Sequence, residues 1–308
     1  MKGEEKFALG NEDLRVTIAL RGAELCSLFD KKRQEEVIWQ GDSSIWGWQA
    51  PLLFPLVGKL RDDSYRYCGR QYRMTRHGFA REEKFELVEA CKTLLRFRLT
   101  DNTDTRAIYP FQFQLDVIYR LEERKLSVQL EVENTGEKKL CFSIGAHPGF
   151  ALPSSGEERR EGYRLRIEGP GADDLHYYLV NPSSGEVDLK HSYRLHQEEQ
   201  GIKLTSELFA RDALIFDRGQ ISSVSILRPN GETYIHLNSK DFPDFGIWSV
   251  PGDRQPFICL EPWFGRSDAE GFSGELDQRY GKLILEPEEQ FAASYSITVP
   301  PFSPEQVL

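Results

Sequence analysis

Short runs of β-branched and aromatic residues, several alternating apolar with polar, recur along most of the chain: residues 14–19, 94–99, 113–119, 126–132, 223–227, 233–237 and 283–285. A period of two puts successive side chains on opposite faces of an extended backbone, so such runs specify strands. Turn-forming clusters separate them, at 62–64, 134–136, 182–185, 229–231 and 251–253, the punctuation an antiparallel meander requires. Apolar spacing of three and four residues is not sustained anywhere, and only 43–48 and 207–211 read as weakly helical. The chain is therefore predicted to be nearly all β. So many strands leave few open edges only when their sheets pack on one another, and this predicts one domain spanning 1–308. The most polar stretch, SSGEERREG at 154–162, reads as a surface loop inside that domain, because apolar strands resume on both sides.

Charge narrows the choice of partner. With 39 Lys+Arg against 49 Asp+Glu, the formal charge of -10 repels phosphate backbones and anionic bilayers. The expected partner is a small molecule, with no nucleic acid and no membrane; nothing in the chain specifies an oligomeric state. No apolar run approaches the roughly 20 residues a membrane helix needs. The opening MKGEEKF is charged where a secretory signal needs an apolar stretch, so cytoplasmic residence is expected. The five cysteines, Cys26, Cys68, Cys91, Cys141 and Cys259, are single and scattered, which argues against disulfides and thiolate zinc sites. Cys141 and Cys259 lie in apolar runs and read as buried thiols. The six histidines show neither HxH nor HExxH spacing, so no metal is expected.

Two residues stand out chemically. His147 closes an apolar run, FSIGAHPGF at 142–150. Its small neighbours leave the imidazole room, and Pro148 holds the His147 backbone extended, presenting the ring rigidly at a strand end. A hydrogen-bonded core histidine is the competing reading. Glu261 ends the apolar run 257–260 and precedes Pro-Trp, a poor place for a solvated carboxylate. Apolar surroundings raise a carboxyl's pKa to where it can exchange a proton near neutrality; a salt bridge to Arg266 is the alternative. A third cluster, QYRMTRHGFAR at 71–81, places His77 four residues before Arg81, with Gly78 allowing close backbone approach. Trp263 could stack on a ligand or fill the core.

Four motifs in order, PLVGKL (55–60), HGFAR (77–81), SIGAHPGF (143–150) and CLEPWFG (259–265), make the chain resemble the galactose mutarotase (aldose 1-epimerase) superfamily, within it the LacX-like branch. The resemblance implies a large antiparallel two-sheet β-supersandwich. It also implies an isomerase that interconverts the α and β anomers of a free aldose such as glucose or galactose without a cofactor. Its general acid falls on His147, its general base on Glu261 and a substrate-binding histidine on His77. Its substrate-positioning aspartate falls on Asp212, with Asp217 as rival. Much of the family carries arginine where this chain has Lys59, so the sugar-holding cation is Lys59, Arg61 or Arg81. Trp248 or Trp263 would pack against the sugar ring. Two alternatives remain: a hexose-6-phosphate 1-epimerase, with Arg73, Arg76 and Arg81 reading the phosphate, and a non-catalytic carbohydrate-binding or sensing protein.

Overall fold

A computed structural model describes residues 5–153, 160–181, 183–251 and 256–301. Most of the polar stretch 154–162, Pro182 of one predicted turn and Gly252 and Asp253 of another lie outside the described residues. The architecture is nearly all β. All seven runs read as strands are strands, several of them a residue or more longer than the run, such as Gln114–Glu122 and Lys125–Glu133. Five of the seven, all but 14–19 and 283–285, meet in a nine-stranded antiparallel sheet ordered Ile202–Lys203, Arg164–Glu168, Ser223–Leu227, Thr233–Asn238, Gln290–Thr298, Lys125–Glu133, Gln114–Glu122, Leu94–Thr100, Glu86–Ala90. Alternation decides which face is inside: Leu126, Val128, Leu130 and Val132 are buried while their neighbours in Lys125–Glu133 are at least partly exposed.

Those side chains share one apolar core with Ile144, Phe245, Ile247, Ile258 and Leu260, which come from a second, six-stranded sheet. Its order is Leu214–Phe216, Asp244–Trp248, Phe257–Phe264, Ile144–Ala146, Leu52–Leu53, with Gly149–Ala151 also paired to Phe257–Phe264. Phe257–Phe264 is buried over nearly its whole length, as its apolar run 257–260 predicts for its first half, and Glu261 is buried with it. A four-stranded meander, Lys6–Gly10 through Glu35–Glu36, adds Leu14, Val16, Ile18 and Leu28 to the same core.

The weakly helical readings fare differently. Residues 43–45 form only a turn, while 207–211 contains the 3-10 helix Glu207–Phe209. The one α-helix among the described residues, Thr103–Ile108, is held by a capping box in which the Asn102 side chain accepts from the Thr105 N–H and the Thr105 hydroxyl accepts from the Asn102 N–H. No helix among the described residues is long and apolar enough to cross a membrane.

Candidate active site

The register of Phe257–Phe264 builds the site. On one side it pairs with Ile144–Ala146, Gly145 opposite Trp263, and then with Gly149–Ala151, Gly149 opposite Cys259. Carrying that single register across the intervening residues puts His147 opposite Glu261, and the Leu260 N–H donates to the Pro148 carbonyl at 3.2 Å. Opposed residues of an antiparallel pair project from the same face. The result is a contact of 3.0 Å between His147 Nε2 and Glu261 Oε2, with the two residues only 8% and 1% exposed.

Burial pushes the Glu261 carboxyl well above the usual carboxylate range, Asp212 adding to the rise and Arg76 opposing it. Burial also pulls the His147 imidazole down to about 3, with Arg81 and Arg76 acting the same way. Both shifts favour the neutral form, in which the Glu261 carboxyl donates to Nε2. The pair then holds one proton between two groups able to exchange it. Arg266 is not the partner of Glu261; its guanidinium lies over the Tyr280 ring at 4.1 Å.

His77 is fixed by backbone geometry. It and Gly78 both have positive φ, 68° and 73°. A Cβ on residue 78 would stand 2.2 Å from the Phe54 carbonyl oxygen, so only glycine fits. The Gly58 N–H donates to His77 Nδ1 at 3.2 Å, which leaves the proton of the neutral ring on Nε2. Burial, then the neighbouring His147, Arg81 and Arg76, hold this imidazole well below its ordinary pKa, so it is a neutral donor. Its ring meets that of His147 edge to face at 5.6 Å.

Trp263 lies across two glycines, one on each neighbouring strand. A Cβ on Gly145 would stand 2.6 Å from its Cδ1, and one on Gly246 would stand 2.4 Å from its Cη2. The indole packs into an apolar cluster with Leu53, Val57 and Ile215.

These groups surround a cleft of about 450 Å³ whose lining includes His77, Arg81, His147, Asp212, Trp248, Glu261 and Trp263. Arg61 is not among them. Its guanidinium reaches the Phe272 carbonyl at 3.3 Å and Glu186 at 3.9 Å, beside a separate cavity, which corrects the expectation of Arg61 as a sugar-holding cation. Lys59 does not line the cleft directly; its Cδ lies 2.6 Å from where a Cβ of the lining residue Gly185 would be. Asp217 also lies outside, buried near Arg218, whereas Asp212, at φ 75°, turns into the cleft. Arg73 is not in the lining, but Arg76 is.

Sequence reasoning missed one wall. Trp46 and Trp48 line the cleft: Trp46 stacks on His147 with ring centres 5.0 Å apart, and Arg81 lies over the Trp48 ring at 5.0 Å. The signal available was two tryptophans in the short segment IWGW at 45–48, obscured by its weakly helical appearance.

The family profile for aldose 1-epimerase matches residues 5–277. The chain belongs to that family. It is 32% identical over 297 residues to the chromosomal protein LacX of Lactococcus lactis subsp. lactis, covering 94% of this chain and 98% of that one. A galactose mutarotase related enzyme from Lactobacillus acidophilus superposes with TM-score 0.88 at 31% identity, covering 96% of this chain and 98% of the other. A galactose mutarotase-like protein from Lactobacillus casei gives TM-score 0.88 at 29% identity, covering 96% and 100%. The fold is thus the galactose mutarotase-like β-supersandwich.

Proposed function

We propose that the protein is a cofactor-independent aldose 1-epimerase, acting as one domain, that interconverts the anomers of a free hexose such as glucose or galactose. The observation that carries this reading is the 3.0 Å contact between two buried proton-exchanging groups, His147 and Glu261, at the wall of a cleft of about 450 Å³. Opening a hemiacetal ring removes a proton from the anomeric hydroxyl while one arrives at the ring oxygen. Both oxygens are bonded to C1, so the acid and the base must be neighbours. Glycoside hydrolases instead set two carboxyls about 5–9.5 Å apart.

Transfer of the shared proton to His147 Nε2 leaves Glu261 as base for the C1 hydroxyl and His147 as acid for the ring oxygen. The C1–O5 bond breaks, the aldehyde forms, and rotation about C1–C2 offers its other face. Closure returns both protons along the same routes, so no electrons are gained or lost. One positioned acid or base contributes about 10²–10⁴ in rate. The neutral His77 donor, Asp212 and Arg81 orient hydroxyls, and Trp46, Trp48, Trp248 and Trp263 supply apolar faces for the sugar's C–H groups.

A second reading, a hexose-6-phosphate epimerase, is favoured by one feature. A Cβ on Gly185 would stand 2.6 Å from Lys59 Cδ and 3.1 Å from Arg76 Nη2, so these two cations flank it, and among the described residues neither makes an ion pair. Unpaired cations beside a residue that lines the cleft suit an anionic group on the substrate.

The test is polarimetry on freshly dissolved α-D-glucose, α-D-galactose and glucose 6-phosphate, beside calorimetric binding. Glu261→Gln keeps the size of glutamate but cannot take a proton, so the variant should still bind sugar while losing turnover. A wild type that binds sugar yet leaves the rate at the buffer value would identify a binding protein instead.

A further inference from the structure

The face that carries the proton-transfer pair carries a third donor which the proposed reaction does not use. Cys259 and Glu261 are two apart in the strand Phe257–Phe264 and so project from the same side. Cys259 stands opposite Gly149, two residues along the chain from His147. His147, Cys259 and Glu261 each offer one ligand atom, and the three atoms lie within 4.8 Å of one another. The two remaining polar atoms of the pair, His147 Nδ1 and Glu261 Oε1, are buried without a hydrogen-bond partner.

We infer that His147, Cys259 and Glu261 form a binding site for a thiophilic divalent cation such as Zn²⁺, and that its occupancy blocks turnover at the cleft. The second half rests on the proposed function; the first half does not. The donor set is imidazole nitrogen, carboxylate oxygen and thiolate sulfur, which suits zinc and excludes Mg²⁺ and Ca²⁺, whose shells are built from six or more oxygens. Zinc–ligand bonds of about 2.0–2.3 Å put tetrahedral ligand atoms about 3.3–3.8 Å apart. The present separations, from 3.0 Å for the pair up to the 4.8 Å limit of the trio, bracket that range. Side-chain adjustments of about 1 Å close the site.

The exchange balances. Cys259 is fully buried and enters as the neutral thiol, and the pair holds one proton. Binding forms one bond from the metal to each of the three ligand atoms and releases the thiol proton and the pair's proton to solvent. Two protons leave for one dication, so the buried site stays neutral, avoiding the cost of an unpaired interior charge. The residues that would move protons in the sugar then hold the metal.

Co²⁺ serves as a spectroscopic probe on the full-length, metal-free protein. A thiolate-to-cobalt charge-transfer band is expected, displaced by Zn²⁺ and absent in Cys259→Ala; Cys259→Ser, with thermal melts of both variants, controls for folding. In the epimerase assay Zn²⁺ should inhibit the wild type, a chelator should restore full turnover, and Cys259→Ala should keep turnover while its sensitivity to zinc falls about 10–100-fold or more. No charge-transfer band, or unchanged zinc sensitivity in a folded Cys259→Ala, overturns the site. A band without inhibition overturns the blockade. Because the cobalt titration needs no sugar, it decides the site even if the protein proves not to be an epimerase.

Discussion

At the scale of single residues, His147 and Glu261 behave as one unit, because each is buried and each contacts the other. Groups that act as a unit are non-additive on removal. His147→Asn alone should lower kcat by about 10²–10⁴, but the same change added to Glu261→Gln should cost far less, as measured by polarimetry. Full additivity would mean that the two act in separate steps. A second prediction separates two aspartates that sequence alone left as rivals. Asp212 lines the cleft and its charge raises the Glu261 pKa, while Asp217 is buried outside it. Asp212→Asn should weaken calorimetric sugar binding or lower turnover, and Asp217→Asn should leave binding intact; the reverse would show that the sugar lies elsewhere. The pair itself was legible, since a carboxylate and an imidazole ending apolar runs ask for a purpose. Cys259 beside them was not, because its nearness to His147 depends on a cross-strand register that no local pattern encodes.

At the scale of elements, the strand Phe257–Phe264 carries Cys259, Glu261 and Trp263, and two glycines on its neighbours make room for its indole. Gly246→Ala would put a Cβ 2.4 Å from Trp263 Cη2. Overpacking of this kind costs about 1–3 kcal/mol, so the variant should melt earlier and show a raised KM as the cleft wall shifts. Phenylalanine lacks the outer atoms of the indole that clash, so Trp263→Phe in the same chain should recover part of the loss. Thermal melts of the two single variants and the double variant check this, and strict additivity would place the clash elsewhere. The strands were legible because their alternation is a local property. The wall at 43–48 was not, since its shape depends on distant partners: the Trp39 indole N–H donates to the Trp46 carbonyl at 2.8 Å, and Glu24 Oε1 accepts from the Gln49 N–H at 2.8 Å. The helix Thr103–Ile108 was too short to show a period, although the Asn and Thr of its cap stand in the sequence.

At the scale of the whole molecule, the second sheet buries a titratable carboxyl away from its cleft as well as one in it, and this sets a pH dependence of stability. Asp244, 1% exposed, accepts from the Gly265 N–H at 2.8 Å and from the Tyr280 hydroxyl at 2.9 Å. Burial nevertheless pushes its carboxyl up to about 6, against those hydrogen bonds and Arg266, with Asp217 adding to the rise. The folded state therefore binds this proton more tightly than the unfolded chain, whose carboxyl titrates near 3.8. The sign follows: where the folded state holds more protons, stability falls as pH rises. Asp244 should thus favour folding most below about pH 4 and lose that contribution progressively up to about pH 6, beyond which its effect is constant. Other carboxylates titrate over the same range, so the measurement is a difference. Urea unfolding of wild type and Asp244→Asn across about pH 4 to 8 should give a stability gap that shifts in favour of wild type toward acid. A gap that stays constant over that interval would show that Asp244 keeps an ordinary carboxylate pKa and that its hydrogen bonds fully offset its burial.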